Sequence, residues 1–247
     1  MSGHSKWSTI KRKKGAIDAK RSKIFSKIIK EINIAVKENG AISDSNPRLR
    51  MAIQNAKGVN MPKENIQRAI NKASNDDKNY QEITFEGYAP GGIAIFVECL
   101  TDNNNRTISN IRTIFNKRGG NLGNNGSLSF IFNRKGVFTI TKENIKNPEE
   151  FELEIIDAGI EDIDDDGDVF TLYSPLENFG KVQKKLDELK IDVDNAELRR
   201  VPNNYKTLDI ESSQKVLKLI EEIEDEDDVQ NVFYNLEISD ELLKSME

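Results

Sequence analysis

Charge is distributed very unevenly along this chain, and that asymmetry constrains it more than any other feature. Residues 1–30 contain ten Lys/Arg and a single acid, Asp18. Residues 1–73 carry a net charge of +12 and residues 74–247 carry −18, which the overall net charge of −6 conceals. A dense basic segment attached to an acidic body predicts a polyanionic partner.

Helix signals divide the basic part into an arm and a helical domain. We expect residues 1–16 to be extended and to be followed by a helix over residues 17–39. Two shorter helices should open at Pro47 and Pro62, because proline fits the first helical turn, where its missing N–H costs nothing. Asn46 is the predicted N-cap of the first of these.

The rest of the chain alternates strands and helices. Residues 135–204 show the order β-α-β-β-α-β of a ferredoxin-like sandwich. Residues 80–134 predict three strands, the last at Leu128–Phe132, but only one helix, so we expect residues 205–247 to return and complete that domain with a helix and a strand. The predicted fold is α+β with three domains: residues 1–79, residues 80–134 plus 205–247, and the inserted residues 135–204.

Several classes of function lack the residues they need. Cys99 is the only cysteine and His4 the only histidine, which argues against a disulfide, a metal site and a His-based catalytic dyad. The glycine-rich loop at 120–126 lacks the Lys-Ser/Thr of a phosphate-binding P-loop. We therefore expect no catalytic residues, no metal, no cofactor and no small-molecule substrate. An enzyme remains an alternative only if paired carboxylates with perturbed pKa values line a cleft between domains.

Nothing in the sequence predicts contact with a membrane. No apolar run of eighteen residues is present, and the basic N-terminus is not followed by the apolar stretch of a signal peptide. We expect a cytoplasmic protein.

The arm and the helix after it supply the candidate site. The predicted nucleic-acid-binding residues are Lys6, Trp7, Lys11, Arg12, Lys13, Lys14, Lys20, Arg21, Lys23, Lys27 and Lys30. The cations would contact phosphates, whereas Trp7 would either stack on a base or anchor the arm to the helical domain. Residues 221–228 hold seven acids in eight positions. They would form a solvated helix end or shield the arm when nucleic acid is absent.

The sequence leaves two targets open. No helix shows the base-reading Arg, Asn or Gln at its start that a helix-turn-helix recognition helix would have. Readout of phosphates and shape suits duplex DNA and folded RNA alike. We predict a non-enzymatic regulator of transcription that binds duplex DNA; the alternative is a translation factor that binds ribosomal RNA through the same cations.

Distinctive blocks span most of the chain. They are Gly3–Trp7, Asp18–Arg21, Asn46–Arg50, Asn60–Lys63, Glu86–Gly92, Glu98–Asn103, Gly119–Gly123 and Asp228–Val232. Together they resemble the YebC family, whose bacterial members are described as probable transcriptional regulators and whose mitochondrial relative is described as a translational activator of a cytochrome oxidase subunit. The resemblance implies a three-domain α/β protein in a family not known for catalysis.

Overall fold

The computed structural model describes residues 18–75 and 80–245, with side chains from residue 21 onward except that of Asp166. The described helices are α1 (Asp18–Asn39), α2 (Pro47–Gly58), α3 (Lys63–Ala73), α4 (Asn104–Lys117), α5 (Pro148–Asp157), α6 (Phe179–Glu188), α7 (Ile210–Glu224) and α8 (Asp240–Lys244). The strands are β1 (Gln81–Ala89), β2 (Ile93–Thr101), β3 (Asn121–Leu122), β4 (Phe132–Thr141), β5 (Asp162–Asp166), β6 (Val169–Pro175), β7 (Asn195–Pro202) and β8 (Val229–Tyr234).

These elements group into two compact units. The first unit contains residues 31–75 and 134–200, and the second unit contains residues 18–30, 80–133 and 201–245. The mixture of a helical N-terminal region with two separate antiparallel sheets confirms the predicted α+β class. The division into three domains with boundaries after residues 79, 134 and 204 stays a prediction.

The first unit combines the helical segment with a ferredoxin-like sheet. The strand order is β5-β6-β4-β7, and β4 runs antiparallel to β6 from Lys135↔Pro175 to Thr141↔Val169. With α5 between β4 and β5 and α6 between β6 and β7, this is the predicted split β-α-β sandwich. Its core includes the fully buried Phe138, Leu172 and Val182.

The second unit is built on a sheet that the C-terminal segment completes. The strand order is β3-β1-β2-β8. Strand β8 pairs antiparallel with β2, with Ile95 opposite Tyr234, and α4 and α7 contribute Phe115 and Ile220 to the core beneath the sheet. The expectation that a late helix and strand return to this sheet is therefore confirmed.

One predicted strand is wrong. Residues 125–131 form turns, and strand β4 begins only at Phe132. The cause is Glu86, whose buried carboxylate accepts hydrogen bonds from the backbone N–H groups of Gly126 (2.7 Å) and Leu128 (2.6 Å). Since a buried carboxylate needs such partners, it holds these residues in turns and removes them from strand pairing.

The junction between α1 and α2 follows the predicted capping. Gly40 ends α1 with a φ of 83°, a backbone conformation that glycine adopts at low cost. The fully buried Asn46 accepts a hydrogen bond from the N–H of Leu49 and donates to the carbonyls of Ala35 (2.6 Å) and Gly40 (2.8 Å). One side chain thus caps the second helix and ties it to the end of the first.

Across the described ranges, 18–75 and 80–245, no helix is both long and apolar enough to cross a membrane.

The packing around Gly58 predicts that two glycine-to-alanine changes in the first unit have opposite effects on the free energy of unfolding. A Cβ at Gly58 would lie 1.8 Å from the backbone carbonyl oxygen of Asp194, whereas a Cβ at Gly180 in α6 would meet nothing within 4 Å. We expect Gly58→Ala to lower the free energy of unfolding by about 2 kcal/mol, because α2 must move away from its neighbour. The control Gly180→Ala should raise it by about 0.5 kcal/mol. Urea denaturation measures both, and equal effects would contradict this packing.

Candidate nucleic-acid interface

The structure describes only part of the predicted site. Lys6, Trp7, Lys11, Arg12, Lys13 and Lys14 lie outside the described residues, and for Lys20 only the helical backbone is described. The other four candidates, Arg21, Lys23, Lys27 and Lys30, lie on the first half of α1, within the second unit.

Helix α1 changes its surroundings along its length. Ile32, Ala35 and Val36 are buried, but Ile24 and Ile29 are 44% and 40% exposed. The apolar residues of α1 are therefore buried only in its C-terminal half. The N-terminal half is an exposed amphipathic helix that carries the cations.

Residues 224–228, which we call the acidic turn, contact three of those cations. Lys23 Nζ lies 3.0 Å from the carboxylate of Asp225, and Lys27 Nζ donates to the carbonyl of Glu224 at 3.1 Å. Lys30 Nζ donates to the carbonyl of Asp227 at 2.7 Å. The Glu224 carbonyl belongs to the last turn of α7, and the Asp227 carbonyl lies just beyond it. Backbone oxygens at a helix C-terminus lack helical partners and the helix dipole is negative there, so ammonium groups are stabilised.

The fourth cation makes a different contact. The guanidinium of Arg21 lies over the ring of Phe25, 5.4 Å from its centroid. Arg21 is exposed and sits one turn from that ring on the same helix. This is a local cation–π contact, typically worth about 0.5–1 kcal/mol at an exposed position.

Asp228 is the most strongly bound acid of the acidic turn. Its Oδ1 lies 3.0 Å from Lys30 Nζ, and its Oδ2 accepts from Arg106 (2.7 Å), from the hydroxyl of Thr107 (2.8 Å) and from that of Thr101 (3.1 Å). The residue is 7% exposed. Burial alone would raise the pKa of this carboxyl, but the hydrogen bonds from Arg106, Lys30 and Thr107 outweigh it and lower the pKa to about 2.

The partners of Asp228 are themselves held in place by further hydrogen bonds. Asn103 caps α4 by accepting from the N–H of Arg106 at 3.1 Å. The hydroxyl of Thr101 accepts from the N–H of Asn103 at 2.9 Å, and its oxygen lies 2.8 Å from that of Thr107, whose proton goes to Asp228. The end of β2 and the start of α4 are thereby fixed around one carboxylate.

A cleft of about 640 Å³ opens beside this network in the second unit. Helix α1, the start of α4 and the acidic turn line it. Its charged side chains are Lys23, Lys27, Lys30, Arg106, Asp102, Glu226, Asp227 and Asp228. Cations and acids are equal in number, so a polyanion that approaches these lysines has to compete with carboxylates of the same unit.

Acid–base catalysis finds little support in this cleft. A general acid needs a carboxyl whose pKa is raised toward neutrality, whereas that of Asp228 is lowered. Burial and the nearby Asp228 raise the pKa of the Cys99 thiol to about 12, which keeps it protonated and unreactive. Among the residues that the structure describes, no group of three or more His, Cys, Asp or Glu is placed to hold a metal ion.

Sequence reasoning missed Thr101, Arg106 and Thr107 as parts of the site, although it considered residues 221–228 as a shield of the arm. The three lie 121 to 127 positions from Asp228 and belong to no catalytic or metal-binding motif. The available signal was the resemblance itself, since Glu98–Asn103 and Asp228–Val232 are two of its blocks.

Sequence models of two domains of one protein family match two consecutive parts of this chain. The sequence model of the TACO1/YebC protein N-terminal domain matches residues 5–76, and that of the TACO1/YebC second and third domain matches residues 80–236. The chain belongs to the TACO1/YebC family, which confirms the resemblance.

Relatives match over the whole length. A protein of Amoebophilus asiaticus is 52% identical over 96% of this chain and 98% of its own, and one of Chlorobaculum parvum is 46% identical over 100% and 99%. Both are named probable transcriptional regulatory protein. The crystal structure of a conserved hypothetical protein of Aquifex aeolicus is 41% identical, with a TM-score of 0.83 over 92% of this chain and 95% of that one.

The lowered pKa of Asp228 predicts a pH dependence of stability. Its carboxylate is stabilised in the folded state, so this contribution is complete above the ordinary pKa of 3.8 and is lost as the pH falls toward about 2. We expect Asp228→Asn to lower the free energy of unfolding by about 2 kcal/mol at pH 7 and by much less at pH 2.5. Urea denaturation at both pH values measures the difference. The exposed Asp168→Asn serves as control, and a pH-independent cost at Asp228 would contradict the assignment.

Proposed function

We propose that this protein is a non-enzymatic regulator of gene expression that binds nucleic acid through its basic arm and the first half of α1. The observation that carries the proposal is the charge distribution: ten cations and one acid in residues 1–30, on a body whose residues 74–247 carry −18. Its relatives are named probable transcriptional regulatory proteins, and we take duplex DNA as the target. Because the target is nucleic acid, the proposed compartment is the cytoplasm.

The arm supplies affinity and the acidic turn limits it. Each Lys or Arg that neutralises a phosphate releases a counterion, so affinity follows the number of contacts and falls with salt. Lys23, Lys27 and Lys30 already bind the acidic turn. Nucleic acid therefore has to exchange with these internal contacts when it binds the lysines of α1.

Ribosomal RNA is the alternative target. The same cations would bind its phosphates, and the family resemblance includes a translational activator. Crosslinking in cells, followed by sequencing of both bound DNA and bound RNA, separates the two. If the crosslinks lie at discrete DNA sites and an arm variant lacks them, the result supports a DNA-binding regulator. If they are concentrated on ribosomal RNA and the same variant lacks them, the result supports a translation factor.

Neutralising the arm should weaken binding and its salt dependence together. For the Lys11, Arg12, Lys13 and Lys14→Gln variant, we expect the slope of log K against log salt to fall by up to about 0.7–0.9 per lost phosphate contact. Fluorescence anisotropy with a DNA duplex of about 30 base pairs, titrated at salt concentrations between about 50 and 200 mM, measures this slope.

A matched control separates contact from net charge. The exposed cations Arg112, Lys146, Lys218 and Lys244 provide one arginine and three lysines elsewhere on the chain. Changing these four to Gln alters net charge equally, and it should leave the slope almost unchanged. An arm variant with an unchanged slope would reject the arm as the binding element.

Neutralising the acidic turn should have the opposite effect. The triple change Asp225→Asn, Glu226→Gln and Asp227→Asn removes the ion pair to Lys23 and the repulsion of phosphates near the cleft. We expect the affinity for the same duplex to rise about three- to tenfold. The exposed acids Asp168, Glu177 and Asp187 form a control triple with the same change in charge. An equal gain in both triples would mean that net charge alone is responsible.

A further inference from the structure

Four cations of α2 and α3 differ from those of α1 in their surroundings. Within the part of the chain that the structure describes, Lys57, Lys63, Arg68 and Lys72 are exposed and take part in no ion pair. Glu64 is the one acid of α3. Phosphate contacts at this surface would therefore need no exchange with internal carboxylates.

Helix α3 has a buried face and an opposite polar face. Ile66, Ala69, Ile70 and Ala73 are buried, each at most 8% exposed. At about 100° per residue, the opposite side of the helix carries four exposed residues, Glu64, Gln67, Arg68 and Asn71. Lys63 and Lys72 flank this face at its two ends.

The amide side chains of that face are already ordered. Gln67 Nε2 donates to Asn71 Oδ1 at 3.0 Å, across one helical turn. This hydrogen bond restricts the rotamers of both side chains, so less rotamer freedom is lost when they bind a ligand. Arginine pairs with guanine, and Asn or Gln with adenine, in the major groove of DNA.

The connection to α2 is short and rigid. Four residues, 59–62, join the helices, and Asn60 takes a φ of 55°. The N–H of Met61 donates to the carbonyl of Ala56 at 2.9 Å, and the Met61 side chain is buried. Two helices joined by such a turn are the elements of a helix-turn-helix, whose second helix enters the major groove. The candidate base-reading residues of α3, Gln67, Arg68 and Asn71, lie beyond its first turn and not at its start, which is where the sequence showed none.

Helix α2 is itself tied to the ferredoxin-like part of the first unit. The Asn55 amide exchanges two hydrogen bonds of 2.9 Å with the backbone of Ala196 in β7. The close approach of Gly58 to Asp194 continues this contact. The scaffold thus holds α2 by one side, and the outer face of α3 stays exposed.

We infer that the outer face of α3 is a second nucleic-acid-binding surface, one that reads duplex DNA. Arg68, Gln67 and Asn71 contact base edges in the major groove, while Lys63 and Lys72 contact the flanking phosphates. B-form DNA admits a helix in its major groove, whereas the major groove of A-form RNA is too deep and narrow for side chains to read. The inference rests on the proposed function and assigns sequence selectivity to a surface separate from the arm.

A selection experiment tests it. Three proteins are compared: wild type, R68A/N71A and the control R112A/N116A, which removes one arginine and one asparagine from exposed positions of α4. Each selects from a pool of DNA duplexes of about 30 base pairs with random centres, a length that exceeds two helical turns of DNA of about 10 base pairs each. We expect wild type and control to enrich the same sequence. R68A/N71A should bind that sequence at least about tenfold more weakly, with less than about a threefold change for the unselected pool. K63Q/K72Q should weaken binding to both and lower the salt slope by about 1 per lysine.

Four outcomes would count against the inference, and they are distinguishable. Unchanged enrichment by R68A/N71A, or wild type that binds DNA without enriching any sequence, overturns it while the arm and the proposed function stand. Tighter binding to an A-form RNA duplex of the same length, with the same dependence on Arg68, overturns the assignment to DNA. If wild type binds neither DNA nor RNA, the proposed function itself fails.

Discussion

The carboxylate of Asp228 is the group on which the arrangement of the second unit depends. It binds Lys30 of α1, Thr101 at the end of β2, and Arg106 and Thr107 at the start of α4, while its own backbone leads into β8. A buried charge is tolerated only when it is hydrogen-bonded and paired, so these elements depend on one another. The position of the basic half of α1 is one consequence, since Lys30 is the residue that brings that helix to the acidic turn.

The same network explains how the basic helix α1 is stabilised in an otherwise acidic protein when no nucleic acid is bound. The lysines of α1 satisfy carbonyls beyond the end of α7 and one carboxylate, Asp225, in addition to Asp228. These contacts are individually modest because Lys23 and Asp225 are both largely exposed. They lie within reach of competition from a polyanion, whereas the better buried Lys30–Asp228 pair keeps α1 attached to the acidic turn.

Two kinds of cation therefore coexist in this chain. Those of α1 are shared between a predicted ligand and the protein itself, whereas Lys63, Arg68 and Lys72 of α3 form no ion pair with any acid that the structure describes. Affinity from a charged arm is insensitive to sequence, and selectivity requires side chains held in fixed positions. Helix α3, packed through Ile66 and Ile70 and joined to α2 by a tight turn, meets that second requirement.

Local signals in the sequence determined much of the fold. Asn46 and Gly40 marked helix ends, because capping and left-handed backbone are properties of a few neighbouring residues. The β-α-β-β-α-β order and the late return of β8 to β2 followed from element order and from the number of strands a sheet needs. The charge asymmetry is likewise a property of the sequence, and it indicates the arm and α1 as the binding element.

Only the tertiary structure decided which polar groups meet. Glu86 is 42 positions from Leu128, which lies in the loop that Glu86 keeps out of strand pairing. No local preference at residues 128–132 reveals that partner. Asp228 and Arg106 are 122 positions apart. Which side of α3 faces outward depended on where Ile66 and Ile70 found their core, so the exposed row of Gln67, Arg68 and Asn71 became visible only in the folded chain. Periodicity predicts that a helix has two faces, but the packing of distant segments decides what each face meets.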